Sequence, residues 1–148
     1  MKSRMDYFKV APDLMEAMLH MEKTAKGAGL DPLLYELVKT RASQINGCAY
    51  CLHMHTADAR KLGETEMRLY LLSAWRESSL YTPAERAALA WTEALTRIAD
   101  TQHVADDIYE ELTRHFNDRE IVALTLLVNA INAWNRFALG FKSQHPVP

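Results

Sequence analysis

"DPLLYELVKTRASQINGCAYCLHMHTADARKLGE", residues 31–64, reads as two helices and the turn between them. Asp31 followed by Pro32 is a helix start. The aspartate can accept a free amide of the first turn, and proline at the first helical position loses nothing by lacking an N–H. Leu34, Leu37, Val38 and Ile45 recur at helical spacing and predict one buried stripe. Asn46-Gly47 stops the run, because glycine accepts the left-handed conformation in which helices end. A second helix is predicted over about 48–62, with Gly63 as its stop. Two helices joined by so tight a turn pack antiparallel, at a hairpin angle or wider.

Similar signals recur on both sides of the hairpin. Pro12 opens a helix whose stripe is Leu14, Met18, Met21 and Ala25, ended by Gly27 and Gly29. "ETEMRLYLLSAWR" is a further helix. Thr82-Pro83-Ala84-Glu85 is a capping box that opens another, running through Ala88, Trp91, Leu95 and Ile98. "VADDIYEELTRHF" has acids in its first turn and Ile108, Leu112 and Phe116 on one side. Asn117 to Glu120 starts a long helix reaching about Leu139. Its Asn129, Asn132 and Arg136 share a stripe and predict a polar seam between helices or subunits. Trp75, Trp91 and Trp134 lie on apolar faces and are expected to pack. No stretch alternates as a strand does, and no linker divides the chain. An all-α single domain over residues 1–148 is expected.

Of the 148 residues, 49% are hydrophobic and 24% charged, ordinary values for a globular chain with a proper core. The net charge of −2 gives no field that favours nucleic acid or an anionic membrane. "MKSRMDYFKVAPDLM" lacks the apolar run of a signal peptide, and "IVALTLLVNAINAW" is soon interrupted by Asn129, Asn132, Asn135 and Arg136. No nucleic-acid or membrane partner is expected, and the cytoplasm is the expected location. In that reducing compartment a lone cysteine pair points to catalysis or metal binding before a structural staple.

Both cysteines and two of the six histidines fall within residues 48–55. At about 100° per residue, Cys48, Cys51 and His55 share a helical wedge of roughly 60°, whereas Tyr50 and His53 project away from it. Cys48 and Cys51 can close a disulfide across one turn, and His55 lies one turn further on, within reach of the Cys51 sulfur. The free amides and dipole of the helix start favour a thiolate at Cys48, while the imidazole favours Cys51. A nucleophile, a resolving thiol and a base on one face can attack an oxidant and then form a disulfide. Glu36, on the preceding helix, could take a proton or orient His55 if it faced them. Taken alone, it reads as a solvated carboxylate.

Glu36, Cys48-Ala49-Tyr50-Cys51 and His55 together resemble the active-site signature of the AhpD-like alkylhydroperoxidases of the carboxymuconolactone decarboxylase superfamily. "ARKLGE" and "INAWNRFALGF" extend the resemblance over most of the chain. The resemblance implies an all-α fold built on the helical hairpin, assembled as a homotrimer or homohexamer. It also implies reduction of a small hydroperoxide by a CxxC that cycles between dithiol and disulfide, without a cofactor or metal. On this sequence Cys51 would become the sulfenic acid. Cys48 would donate a proton and resolve it, and His55 and Glu36, with a water, would form a proton relay. Tyr50, inside the motif, is counted with the site. The decarboxylase branch lacks the cysteine pair. The implied reductant is an external dithiol, such as a protein-bound dihydrolipoyl group.

Two readings compete. Cys48, Cys51, His53 and His55 could ligate a metal, but one helix cannot converge all four, and a closed zinc site needs another ligand. A redox-responsive binding protein would use the same disulfide without turnover. His20, His103, His115 and His145 have no motif around them.

Overall fold

A computed structural model describes residues 1–147. Its elements are α1 (Tyr7–Val10), α2 (Pro12–Lys26), α3 (Pro32–Asn46), α4 (Ala49–Lys61), α5 (Glu66–Leu71) running into a 3₁₀ turn (Leu72–Glu77), α6 (Pro83–Thr96), α7 (Ile98–Thr101), α8 (Asp106–Thr113) and α9 (Asp118–Phe141). No strand occurs among the described residues. The all-α expectation holds, and the start signals act as read. Asp31 accepts from the Leu34 amide at 3.0 Å. Thr82 with Glu85 and Asn117 with Glu120 form complete capping boxes.

The hairpin of α3 and α4 is the centre of the fold, and α3 also packs against α6 and α9. Every residue from Leu34 to Ser43 is buried. A single apolar stripe was expected on α3. The helix is covered on all sides instead, so Glu36, Lys39 and Arg41 lie inside while Ile45 is only half-buried. Each of the three has a hydrogen-bonding partner, a carboxylate for each cation and an imidazole for Glu36, which is the condition for holding it away from water. Glu36 meets His55, Lys39 meets Glu22, and Arg41 meets Glu93. The solvated reading of Glu36 is therefore corrected.

Glycine is needed at the hairpin turn. Gly47 has φ +70°, and the amides of Gly47 and Cys48 bond back to the carbonyls of Gln44 and Ser43 at 3.3 and 3.0 Å. This closure satisfies the end of α3 and delivers Cys48 directly to the start of α4.

Asn46 then ties the turn to α9. Its Nδ2 donates to Asn132 Oδ1 at 2.9 Å and Asn135 Oδ1 at 2.8 Å, and Asn135 Nδ2 donates to Ser43 Oγ at 3.0 Å. The predicted seam exists, but its membership changes. Asn132 and the fully buried Asn135 form it, whereas Asn129 and Arg136 are exposed. The side of α9 that meets the turn determines which amides are used.

The N-terminus also departs from the expected pattern. α1 was not anticipated, and in α2 Met15 is buried where Leu14 was expected, Leu14 being 63% exposed. α1 is short, so its placement comes from packing rather than helix propensity. The Tyr7 ring lies 5.3 Å from Phe137 and 5.4 Å from Phe141, and Phe8 stacks on Trp134 at 6.2 Å. α9 is long and apolar enough to cross a membrane, yet 56% of its most apolar window is buried inside the fold. It is built as a core helix.

Candidate active site

Cys48 is the N-cap of α4. Its sulfur receives the Cys51 amide at 3.3 Å and is joined to the Cys51 sulfur in a disulfide, with the Cα atoms 5.3 Å apart. That span is ordinary for a disulfide, so one helical turn brings the sulfurs together without moving backbone. Both cysteines are almost completely buried.

One turn on, His55 is buried too, and its Nδ1 lies 2.9 Å from Glu36 Oε2. The pair crosses the hairpin, joining residues nineteen apart in sequence. With Nδ1 engaged by a carboxylate, Nε2 is the nitrogen left to exchange a proton with a thiol or a water.

Cys51 and His55 line one cavity of about 240 Å³, together with Tyr50 and Met54 of α4. Tyr7, Phe8 and Trp134 supply apolar wall. Tyr50, which helical geometry directed away from the cysteine wedge, nevertheless reaches this cavity, because α1 and α9 close over that side of α4. Cys48 has no place on the wall. His53 is exposed and stacks on His145 at 5.4 Å, apart from the sulfurs.

The apolar wall escaped the sequence reading, and so did two charged cavity residues. Lys39 and Glu22 line the same space as an ion pair, the lysine buried and the glutamate half-buried. Glu22 also receives the Tyr35 hydroxyl and, at 3.0 Å, the Trp134 indole N–H, while the Lys39 ammonium donates to Tyr35 Oη at 3.0 Å. Burial takes Lys39 below the ordinary lysine range, more than the nearby Glu22 charge restores. On Glu22 burial acts upward, but Lys39 and the three hydrogen bonds outweigh it, leaving the carboxyl below its usual range. Burial and the Glu22 carboxylate push the Tyr35 hydroxyl well up. Lys39 stands three residues after Glu36 on the same helix, a spacing that could have flagged it. Glu22 has no local signal, since it comes from another helix.

Glu36 faces a second cavity of about 440 Å³, shared with Asp58, Lys61 and Lys26. Glu36, His55 and Asp58 each offer one ligand atom within 4.8 Å of the others. Glu36 and His55 already bond each other, and Asp58 accepts from Lys61 at 2.8 Å. The four-ligand metal reading with both cysteines is set aside, because the sulfurs are bonded to each other and His53 points elsewhere.

A profile of the carboxymuconolactone decarboxylase family matches residues 12–94, from the start of α2 nearly to the end of α6. The chain belongs to the carboxymuconolactone decarboxylase family. It is 44% identical over 139 residues to YdfG of Bacillus subtilis, with 94% of each chain covered. Among solved structures, a candidate antioxidant defence protein AhpD from Agrobacterium tumefaciens superposes with TM-score 0.96 at 46% identity. That match covers 99% of this chain and 100% of the other. A peroxidase-related protein from Silicibacter superposes with TM-score 0.77 at 25% identity, over 89% of this chain and 70% of that one. The fold is thus AhpD-like, and the chain stands among enzymes of the peroxidase or decarboxylase kind. The family region contains Glu22, Glu36, Lys39, both cysteines and His55. The apolar cover from Tyr7, Phe8 and Trp134 lies outside it.

Proposed function

We propose that the protein is a thiol-dependent hydroperoxide reductase in which Cys51 attacks the peroxide and Cys48 resolves the product. The supporting observation is the shared cavity: Cys51 and His55 line it, Cys48 does not, and Glu36 holds the far nitrogen of His55. The cysteine that meets a small molecule there is Cys51.

The cycle starts from the dithiol. His55 takes the Cys51 proton, and Glu36 stabilises the resulting imidazolium and passes charge towards the second cavity. The thiolate attacks one peroxide oxygen; an S–O bond forms, the O–O bond breaks, and an alcohol or water leaves. Cys48, three residues away at the N-cap, then attacks the sulfenic sulfur, releasing water and restoring the disulfide. An external dithiol, such as a dihydrolipoyl group, returns the pair to thiols.

The Agrobacterium tumefaciens relative is described as a candidate antioxidant defence protein, which agrees with this chemistry. A homo-oligomer of three or six copies is part of this proposal and would cover exposed apolar side chains such as Val10 and Val122. Cytoplasmic location belongs to the same proposal, because a reducing compartment keeps regenerating the dithiol.

Steady-state consumption of cumene hydroperoxide with dihydrolipoamide tests the reading. Wild type should turn over repeatedly, whereas Cys51→Ser should be inactive and Cys48→Ser should stall after one equivalent. Equal consumption by all three would eliminate the mechanism. A wild type that stops after one equivalent despite excess reductant would identify a redox-responsive binding protein.

A further inference from the structure

The Cys51 cavity holds an ion pair for which the dithiol cycle has no use. The Lys39 side chain is 3% exposed, inside a space otherwise walled largely by aromatic and aliphatic groups. Burying the Lys39 ammonium costs more than packing an apolar side chain of the same volume, so its place on the wall that Cys51 also lines calls for a reason. Clamping helices is not a sufficient one. Glu22 already joins α2 to α3 and α9 through the Tyr35 hydroxyl and the Trp134 indole, and neither bond requires a lysine.

An ammonium carries three donors. Glu22 and Tyr35 take two, and Lys39 lines the cavity, so the third is available to a molecule within it. At about 240 Å³ the space is smaller than the usual ligand cleft of roughly 300–1,000 Å³ and suits a small molecule.

Peroxide cleavage creates a need for such a donor. When the Cys51 sulfur takes one oxygen, the other leaves as an alkoxide, which is far more basic than water can readily accommodate in an apolar site. Cys48 has no face on the cavity. His55, with Nδ1 held by Glu36, is occupied with the thiol proton. Resting on the hydroperoxide reading above, we propose that Lys39 is the general acid that protonates the departing alkoxide.

The step balances. The thiolate sulfur donates an electron pair to the terminal peroxide oxygen and is oxidised to the sulfenic acid. The O–O bond breaks, the alkoxide takes a proton from Lys39, and an alcohol departs. The neutral amine, stabilised by its burial, regains a proton as the alcohol leaves. The proton that His55 took from Cys51 returns to it by way of water, so that no net proton is gained or lost. Burial, which takes Lys39 below the ordinary lysine range, makes it the better acid for this step.

The basicity of the leaving group provides the test. The full-length protein is reduced, its thiols are titrated, and the rate of Cys51 oxidation is followed in a single turnover. tert-Butyl hydroperoxide releases a strongly basic alkoxide, whereas peroxybenzoic acid releases benzoate, which needs no proton. Lys39→Met should slow the first reaction by about 100-fold and the second by no more than about threefold. Because the ratio is taken within one sample, a fraction of misfolded protein does not change it. Lys39→Arg keeps the charge but holds its proton too tightly to give up, so it should show the same selective loss. Equal losses on both peroxides, or wild-type rates in Lys39→Arg, would overturn the assignment to Lys39 while leaving the dithiol cycle standing. A wild type inert to both peroxides would overturn the cycle and the acid together.

Discussion

Glu36 Oε2 and His55 Nδ1 lie 2.9 Å apart across the hairpin, both buried, and His55 alone of the two reaches the Cys51 cavity. The arrangement assigns them different weights. His55→Ala removes the group that takes the thiol proton and should slow Cys51 oxidation by about 100-fold at neutral pH. Glu36→Gln keeps the shape but removes the charge that stabilises an imidazolium. It should slow the reaction by about tenfold, because no carboxylate then faces the imidazolium formed when His55 takes the thiol proton. Stopped-flow rates from pH 5 to 9 check both.

Cys48 lies behind Cys51 as seen from the cavity, so its removal should leave the first step able to proceed. Cys48→Ser treated with one equivalent of hydroperoxide should accumulate a sulfenic acid at Cys51. A dimedone adduct on the peptide containing Cys51, found by mass spectrometry, is the expected readout. In Cys51→Ser no adduct should form at Cys48.

Asn135 is 1% exposed and satisfies both Asn46 and Ser43. Asn135→Leu leaves the buried Ser43 hydroxyl without this donor and deprives Asn46 of one acceptor. The loss should be about 2–4 kcal/mol, at about 1–3 kcal/mol for each buried group deprived of its partner plus strain from the different shape. Urea unfolding at pH 7 measures it. The same variant should re-form its disulfide more slowly after reduction, since Asn46 anchors the turn that leads into Cys48.

Glu93 receives Arg41 Nε and Trp75 Nε1, each at 2.8 Å, and also Arg76. Burial raises its carboxyl, but these donors and the Arg41 charge outweigh burial and leave it below the ordinary value of 4.5. As pH falls through 4.5, the unfolded chain therefore takes up this proton before the folded one does. Glu93 contributes its stability above that range and loses it as pH falls towards the depressed folded value. Glu93→Gln should lose about 3 kcal/mol at pH 7, the scale on which a buried pair is broken, and its stability should fall less steeply from pH 5 to 3 than that of wild type. Denaturant unfolding across that interval provides the comparison.

Local chemistry accounts for how much was legible in advance. Asp31-Pro32, Asn46-Gly47 and the two capping boxes act over three or four residues, so their helix starts and stops could be read directly. The CxxC and His55 share one helix, and helical spacing alone placed them together. The 3₁₀ turn after α5 and the short α1 were not readable, because neither has enough local propensity to form without the surfaces it covers.

By itself, then, the sequence determined an all-α chain, the hairpin turn at Gly47, and a cysteine pair with a histidine one turn away, because all of these depend on neighbours in the chain. Only tertiary structure decided that Glu36 and Lys39 lie inside, that Asn135 joins the polar seam in place of Asn129, and that Tyr50 reaches the cavity. Those outcomes depend on α3 being enclosed from several sides and on α1 and α9 closing over α4. A side chain's burial and its partner across a helix interface belong to the packing of the whole fold, which no local pattern encodes.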